Sequence, residues 1–418
     1  MGGIESSVGR PVRGINFFDR EREQRLLWQH LDQSHVLVLA PRRVGKTSLL
    51  LRLMDAAPDH GRHAVYVSVA DARTEDDVIR KLIGAIAAHP ASPKIWKRLQ
   101  KGPLKRFVSR LLPKLTAGPL TVELGKGDPD ESWPKVAEAV AEAIDALGEP
   151  WLVLVDELPI FVLNLLRQDG GMDGEVARTR NFLNWFRQLR NPAPNSRSKV
   201  GHVGSPLRWV VAGSIGLDAV VARARLGDTI NDLMLFPLGP FSVDTADIFL
   251  VALSDSYGLP LSRETRARIA ERAGWLIPFY LQVLFSRLHD LVAEHGLTPS
   301  PALVDRVVEE LLTPAYRAYF DYWRQRRTEE LGRPDDQRAL ALLACAAEEV
   351  EGATKKALDH ALSELVPDPV LRAPVLTFLL EVLENDGYLA VSAGAGAGEA
   401  RWRFRSALLR EYWLRRVL

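Results

Sequence analysis

The sequence predicts an α/β fold, in which a parallel sheet with helices on both faces is followed by a mostly helical second half. Short apolar runs near residues 36–39, 64–69, 151–155 and 207–213 are typical of buried parallel strands. Amphipathic helical patterns separate these runs, and helical spacing dominates after residue 240. The 418 residues are enough for two or three domains.

The composition excludes several classes of protein. The net charge is only +1, so local patches alone could favour nucleic acid. The single cysteine, Cys345, excludes an internal disulfide and a cysteine metal cluster, and it fits a reducing compartment. Because no apolar run reaches the roughly 18 residues of a membrane helix, we expect a cytoplasmic protein without a membrane span.

The first strand leads into a loop with the pattern [GA]-x-x-x-x-G-K-[ST], which is typical of phosphate-binding loops. Ala40 stands at its first position, where glycine is usual. Backbone N–H groups and the following helix N-terminus can bind phosphate oxygens there. The predicted nucleotide-binding residues are Pro41, Arg42, Arg43, Val44, Gly45, Lys46, Thr47 and Ser48.

Three of these residues have specific predicted roles. Gly45 lets the backbone approach the phosphates because it has no Cβ. Lys46 would place its ammonium group on the β- and γ-phosphates, and the Thr47 hydroxyl would ligate Mg²⁺. The sequence therefore predicts a P-loop NTPase fold that binds ATP and magnesium.

The third apolar run ends in Asp156 and Glu157, at the strand end where α/β proteins bind ligands. Asp156 would hold magnesium, directly or through a water. Glu157 would orient and deprotonate the attacking water. Ser214 follows the fourth run and is placed to sense the γ-phosphate or that water. An acid pair that only caps the next loop is the alternative interpretation.

Residues outside the loop complete the predicted pocket. Phe18 and Arg20 are predicted on the adenine side, although a hydrophobic staple plus a helix cap would explain them equally. Pro278 closes a tight corner at residues 273–278, where a lid over the nucleotide would need one.

A basic region lies between Lys94 and Lys114, with eight lysines and arginines and no acid. Apolar residues interleave at roughly helical spacing. One hypothesis is that the region binds a phosphate backbone or a membrane surface. The other is a solvated face on an inserted helical pair whose apolar side packs on the domain.

The predicted domains are an ATPase core at residues 1–240, with a basic helical insert at about 92–130, then a helical lid at 241–330 and a winged-helix domain at 331–418. The predicted third helix of the last domain, residues 375–384, has no basic or amide side chain to contact base edges. The wing, with Arg401, Arg403 and Arg405, could contact phosphates or form a half-buried strand.

Four segments carry a resemblance to a known family: residues 17–21, 41–48, 155–157 and 213–217. Together they resemble the archaeal-type ATPases, which are STAND-class P-loop NTPases related to AAA+ proteins and Orc/Cdc6 initiators. The likeness spans almost the whole chain. It implies strands ordered 5-1-4-3-2, ATP with Mg²⁺, and a nucleotide-dependent switch.

Three functional hypotheses follow. The first is an ATP-hydrolysing switch that moves the lid and winged helix, binds a protein partner and could oligomerise. The alternative is an initiator- or transposition-type ATPase that loads on duplex DNA without reading its sequence, through the basic region or the wing. A third is an adaptor or signalling protein.

Overall fold

The computed structural model describes residues 3–101, 132–170, 176–191, 205–213, 217–321, 323, 331–394 and 398–417. Two compact units each combine separate stretches of chain. The sheet unit comprises Arg20–Leu39 and Leu49–Pro237. The C-terminal unit comprises Met1–Asp19, Ala40–Ser48 and Leu238–Leu418, so it includes the predicted phosphate loop. The predicted domain boundaries at residues 240 and 330 stay predictions.

The sheet unit is built on five parallel strands in the order β2-β3-β4-β1-β5. This is the order 5-1-4-3-2 that the resemblance implied. The strands are β1 (His35–Leu39), β2 (His63–Ser68), β3 (Trp151–Asp156), β4 (Leu207–Gly213) and β5 (Leu233–Pro237). The helices are α1 (Glu21–Gln33), α2 (Lys46–Ala56, whose first turn lies in the loop), α3 (Glu75–Ala87), α4 (Ser92–Leu99), α5 (Trp133–Asp145), α6 (Leu158–Gln168), α7 (Ala177–Arg190) and α8 (Leu217–Arg223).

Both faces of the sheet are covered, as expected for a parallel sheet. All six residues of β3 are buried, so neither face of this central strand is open to solvent. On one face, alternate residues such as Leu37, Val153 and Val211 form a continuous apolar core with helices α3 to α8. This burial explains why the strand segments are apolar throughout and not alternating.

After Leu238, the described part of the C-terminal unit has four helices followed by a mixed region. The first four are α9 (Val243–Tyr257), α10 (Arg263–Ala273), α11 (Pro278–His295) and α12 (Pro301–Leu311). Then come α13 (Asp335–Glu348), β6 (Ala353–Thr354), α14 (Lys355–Ala361), α15 (Pro369–Asn385), β7 (Leu389–Gly394), β8 (Gly398–Phe404) and α16 (Ala407–Arg416). Strands β6, β8 and β7 form a small antiparallel sheet in that order.

Three local features were not predicted from the sequence. The segment after Glu157 forms helix α6, which has Pro159 in its first turn. Backbone N–H groups in a first helical turn have no partner within the helix, so proline's missing N–H loses no helical hydrogen bond there. The segment Leu233–Pro237 is strand β5, because it pairs with β1. Helix α15 begins at Pro369, earlier than predicted, and therefore includes Arg372.

The structure also bears on the membrane question. Among the helices that the structure describes, none combines the length and the apolar character that crossing a membrane requires.

Candidate functional site

The predicted phosphate loop joins β1 to α2, and helix α2 begins at Lys46. Gly45 has a φ of +102°, and a Cβ added there would meet nothing within 4 Å. Its requirement for glycine is therefore conformational, and the space beside its backbone is open. Val44 is 1% exposed and anchors the loop, while Lys46 is 7% exposed. The helix N-terminus and open backbone are suited to bind an anion.

Contacts within the C-terminal unit hold Arg42, Arg43 and Ser48 of the loop. Arg42 forms an ion pair with Asp386, and the two side chains are only 2% and 5% exposed. The Arg43 guanidinium lies 3.8 Å from the centre of the Phe279 ring, in a cation–π contact. The Ser48 hydroxyl accepts a hydrogen bond of 3.0 Å from the Val12 backbone N–H.

Pro41 lies beside the turn that follows α15. Gly387 in that turn has a φ of +90°, and a Cβ added to it would lie 3.1 Å from the Pro41 Cβ. The same Cβ would lie 2.5 Å from Cη2 of Trp275. Only glycine fits this position, so the chain after α15 approaches the loop closely. Pro41 of the loop therefore packs close to the turn that follows α15.

The acid pair lies at the carboxyl edge of the sheet. Strand register aligns Leu39, the last residue of β1, with Gly213 of β4. It aligns Asp156, the last residue of β3, with Ala212, the neighbouring residue of β4. Strands β1 and β3 therefore end at the same level with one strand between them, about 10 Å apart. The chain leaves this edge toward the phosphate loop after Leu39 and toward Glu157 after Asp156.

Both oxygens of the Asp156 carboxylate accept hydrogen bonds. The Tyr66 hydroxyl donates to Oδ2 over 3.0 Å, and the Glu157 backbone N–H donates to Oδ1 over 3.0 Å. Asp156 is 2% exposed. Burial, followed by the charge of the Asp156 carboxylate, raises the pKa of Tyr66 well above its usual range, so the phenol keeps its proton and remains a donor.

Glu157 has a strained backbone. Its φ of 62° and ψ of 31° lie in the left-handed region, and it is the N-cap of α6 without a side-chain cap hydrogen bond. Among the described residues, five that are not glycine have positive φ, and Arg20, Arg43 and Glu157 are three of them. Strained backbone is concentrated at functional sites. Three of these five residues are therefore ones that the sequence analysis predicted as site residues.

The remaining predicted residues have varied surroundings. Phe18 packs against Phe241 and Phe249, with ring centres 6.3 and 5.1 Å apart. Arg20 is buried, and its Nη1 lies 2.8 Å from Oε1 of Glu23. These contacts agree with packing roles and leave nucleotide contact a prediction. Pro278 is the first residue of α11, and its place in a lid over the nucleotide stays a prediction. Ser214 lies outside the described residues.

The donor chemistry fits magnesium. Thr47 offers a hydroxyl and Asp156 a carboxylate, and both are hard oxygen donors of the kind Mg²⁺ prefers. No group of three or more histidine, cysteine, aspartate or glutamate side chains among the described residues could form an all-protein metal site. Magnesium at such a site takes one or two protein ligands and completes its shell with phosphates and waters.

The arginines of the predicted wing do not form one patch. Arg401 donates to the Glu349 carboxylate and to the Gly352 carbonyl. Arg405 is partly buried and donates to the Leu389 carbonyl over 2.8 Å. Arg403 is exposed. Only Arg403 is therefore fully available to a phosphate backbone.

The basic region is described only up to residue 101; the rest of it lies outside the described residues. In α4, Ile95, Trp96 and Leu99 are buried against the core of the sheet unit. The basic residues of this segment are all exposed; they are Lys94, Lys97, Arg98 and Lys101. The described part is thus an amphipathic helix with a cationic face.

Sequence reasoning missed two residues that shape the site. Tyr66 lies in the middle of β2, where an aromatic residue is an ordinary strand former. Asp386 is the C-cap of α15. Neither residue belongs to a recognisable motif, so no local signal could have found them.

The sheet order, the loop after the first strand and the acids after the third strand together define a P-loop NTPase fold of the AAA+ type. No protein-family model matches this chain, and no curated protein matches it. Solved structures do match this chain.

One similar structure is the Walker-type ATPase PABY2304 of Pyrococcus abyssi, with 18% identity, a TM-score of 0.58, and coverage of 97% of this chain and 98% of that one. Another is the ORC2 protein of Aeropyrum pernix in ADPNP–ADP complexes, with 13% identity, a TM-score of 0.52, and coverage of 96% and 92%. The predicted resemblance to archaeal ATPases of the Orc/Cdc6 type is confirmed for the fold.

Proposed function

We propose that this protein binds ATP with magnesium and hydrolyses it. The observation that supports the proposal is the common level at which β1 and β3 end, because the chain continues into residues 40–48 after β1 and into Glu157 after β3. Ligands of open α/β sheets bind outside this edge. The ADPNP and ADP in the similar Aeropyrum pernix structure support a nucleotide as the ligand.

Each residue would contribute by position and charge. Backbone N–H groups of residues 44–48 and the Lys46 ammonium would hold the phosphates. Thr47 and Asp156 would hold the metal, whose charge offsets the negative charge of the transferred phosphoryl group. Glu157 would accept a proton from the attacking water. The left-handed backbone of Glu157, the N-cap of α6, fixes the direction in which its side chain projects.

The nucleotide would act on the C-terminal unit. Arg42 and Arg43 lie in the phosphate loop, and they contact Asp386 and Phe279. We therefore propose a switch. In it, the contacts of the loop with the phosphates and the contacts of Arg42 and Arg43 with Asp386 and Phe279 depend on each other. The order of elements from α13 to α16 supports a winged helix, which we propose binds a protein partner, and an oligomer is compatible with this scheme.

Two substitutions test the ATPase. Lys46→Ala is expected to reduce nucleotide affinity, because it removes the cation nearest the phosphates. Glu157→Gln is expected to keep binding and to lower turnover by 10²-fold or more, since it removes the general base. Binding is measured with a fluorescent ATP analogue and turnover by phosphate release. Lys355→Ala, at an exposed lysine, is the control.

The two assays separate the roles. Wild-type turnover in Glu157→Gln would mean that another group activates the water. Wild-type binding in Lys46→Ala would mean that the loop does not hold the phosphates, and the proposal would then fail.

Duplex DNA binding is the second candidate, and the cationic face of α4 favours it. Four phosphate contacts would give a slope of about −4 for log K against log salt concentration. The double variant Lys97→Glu, Arg98→Glu is expected to abolish binding, because both side chains are exposed on that face. Binding that is undetectable at low salt, with and without ATP, would eliminate this candidate.

A further inference from the structure

Tyr66 and Asp156 lie on adjacent strands at the same edge of the sheet. The register of β2 and β3 places Ser68 opposite Asp156, and Tyr66 is two residues before Ser68. Side chains two residues apart in a strand lie on the same face. The Tyr66 hydroxyl thereby reaches Asp156 diagonally and donates to its Oδ2 over 3.0 Å.

The two hydrogen bonds to Asp156 fix its carboxylate. A carboxylate with one held oxygen can still turn about its Cβ–Cγ bond, whereas one held at both oxygens cannot turn without breaking a bond. The backbone N–H of Glu157 holds Oδ1, and Tyr66 holds Oδ2.

We propose that Tyr66 is a positioning residue that orients the Asp156 carboxylate toward magnesium. This inference rests on the proposed function, since it assigns Tyr66 a role in the same site. Hydrogen-bond partners of metal ligands orient those ligands, and their loss usually costs 10- to 100-fold in metal affinity. In this scheme Tyr66 acts on the metal through Asp156, to which its hydroxyl donates.

The alternative is that the hydrogen bond only ties β2 to β3. The six aligned residue pairs of the two strands already do this through the backbone ladder. A structural role would lower stability equally with and without metal. A positioning role would lower metal affinity alone.

The experiment uses Tyr66→Phe, which keeps the ring and removes the hydroxyl. Affinity for a fluorescent ADP analogue is measured in EDTA and then across a magnesium titration. We expect the affinity in EDTA to be unchanged and the half-saturating Mg²⁺ concentration to rise 10- to 100-fold. Tyr319→Phe, at a half-buried tyrosine of the C-terminal unit, is the matched control and should match the wild type.

Several outcomes are distinguishable. An unchanged magnesium dependence in a folded Tyr66→Phe protein would overturn the role of Tyr66. Equal losses in EDTA and in magnesium would identify a structural role and overturn it too. Nucleotide binding by the wild type that ignores magnesium would instead contradict the proposed function. Tyr66→Met supplies a second variant without a donor, should the phenylalanine variant fold poorly.

Discussion

The ion pair between Arg42 and Asp386 allows a quantitative test of how the phosphate loop is held. The two side chains are 2% and 5% exposed, so water screens them little. Removing one partner of a buried ion pair leaves an uncompensated charge and typically costs about 3–5 kcal/mol. Asp386→Ala should therefore destabilise the C-terminal unit by an amount in that range.

Thermal unfolding followed by circular dichroism measures this effect. For a unit of this size, the expected loss lowers the melting temperature on the order of 10 °C. Glu349→Ala is the matched control, because Glu349 pairs with Arg401 at side-chain exposures of 67% and 36%. An exposed pair contributes about 0–1 kcal/mol, so this variant should melt close to the wild type.

A third variant separates charge from packing. The double replacement Arg42→Met, Asp386→Leu removes both charges and keeps apolar volume, so it should recover most of the stability that Asp386→Ala loses. If Asp386→Ala melts within 2 °C of the wild type, the carboxylate does not compensate a buried Arg42, and the reasoning is refuted.

Two further predictions concern the sheet unit. Burial, and then the charge of Arg190, lower the pKa of His35 to about 4. Between pH 6.5 and 4 the His35 ring therefore binds a proton in the unfolded chain and not in the folded one. About 3 kcal/mol of stability that is present above pH 6.5 is lost as the pH falls to 4. An NMR titration of the His35 ring checks this, and a midpoint near 6.5 would contradict it. A Cβ at Gly213 would lie 2.3 Å from the Pro159 ring, so Gly213→Ala should shift the start of α6, cost about 1–3 kcal/mol, and lower turnover through Glu157. Denaturant unfolding and phosphate release measure both effects, and wild-type turnover in this variant would mean that Glu157 is placed independently of Pro159.

Much of the fold follows from local patterns. Four of the five core strands are apolar runs, and the capping box of Thr74 with Asp77 starts α3 where the residue types predict. Strand β5 was missed because its segment, which contains Pro237, has two exposed apolar residues, Met234 and Leu235, and lacks a buried-strand pattern. It is a strand only because β1 pairs with it.

The sequence by itself predicts the chemistry proposed for this protein. A glycine, a lysine and a threonine at fixed spacing after an apolar strand specify a phosphate loop, since that chemistry is encoded within one short window. The tertiary structure alone decided which distant groups contact the predicted site residues. Tyr66 and Asp156 are 90 residues apart, and Arg42 and Asp386 are 344 apart. A hydrogen bond or ion pair between such residues depends on how strands and helices pack, and no local pattern encodes that.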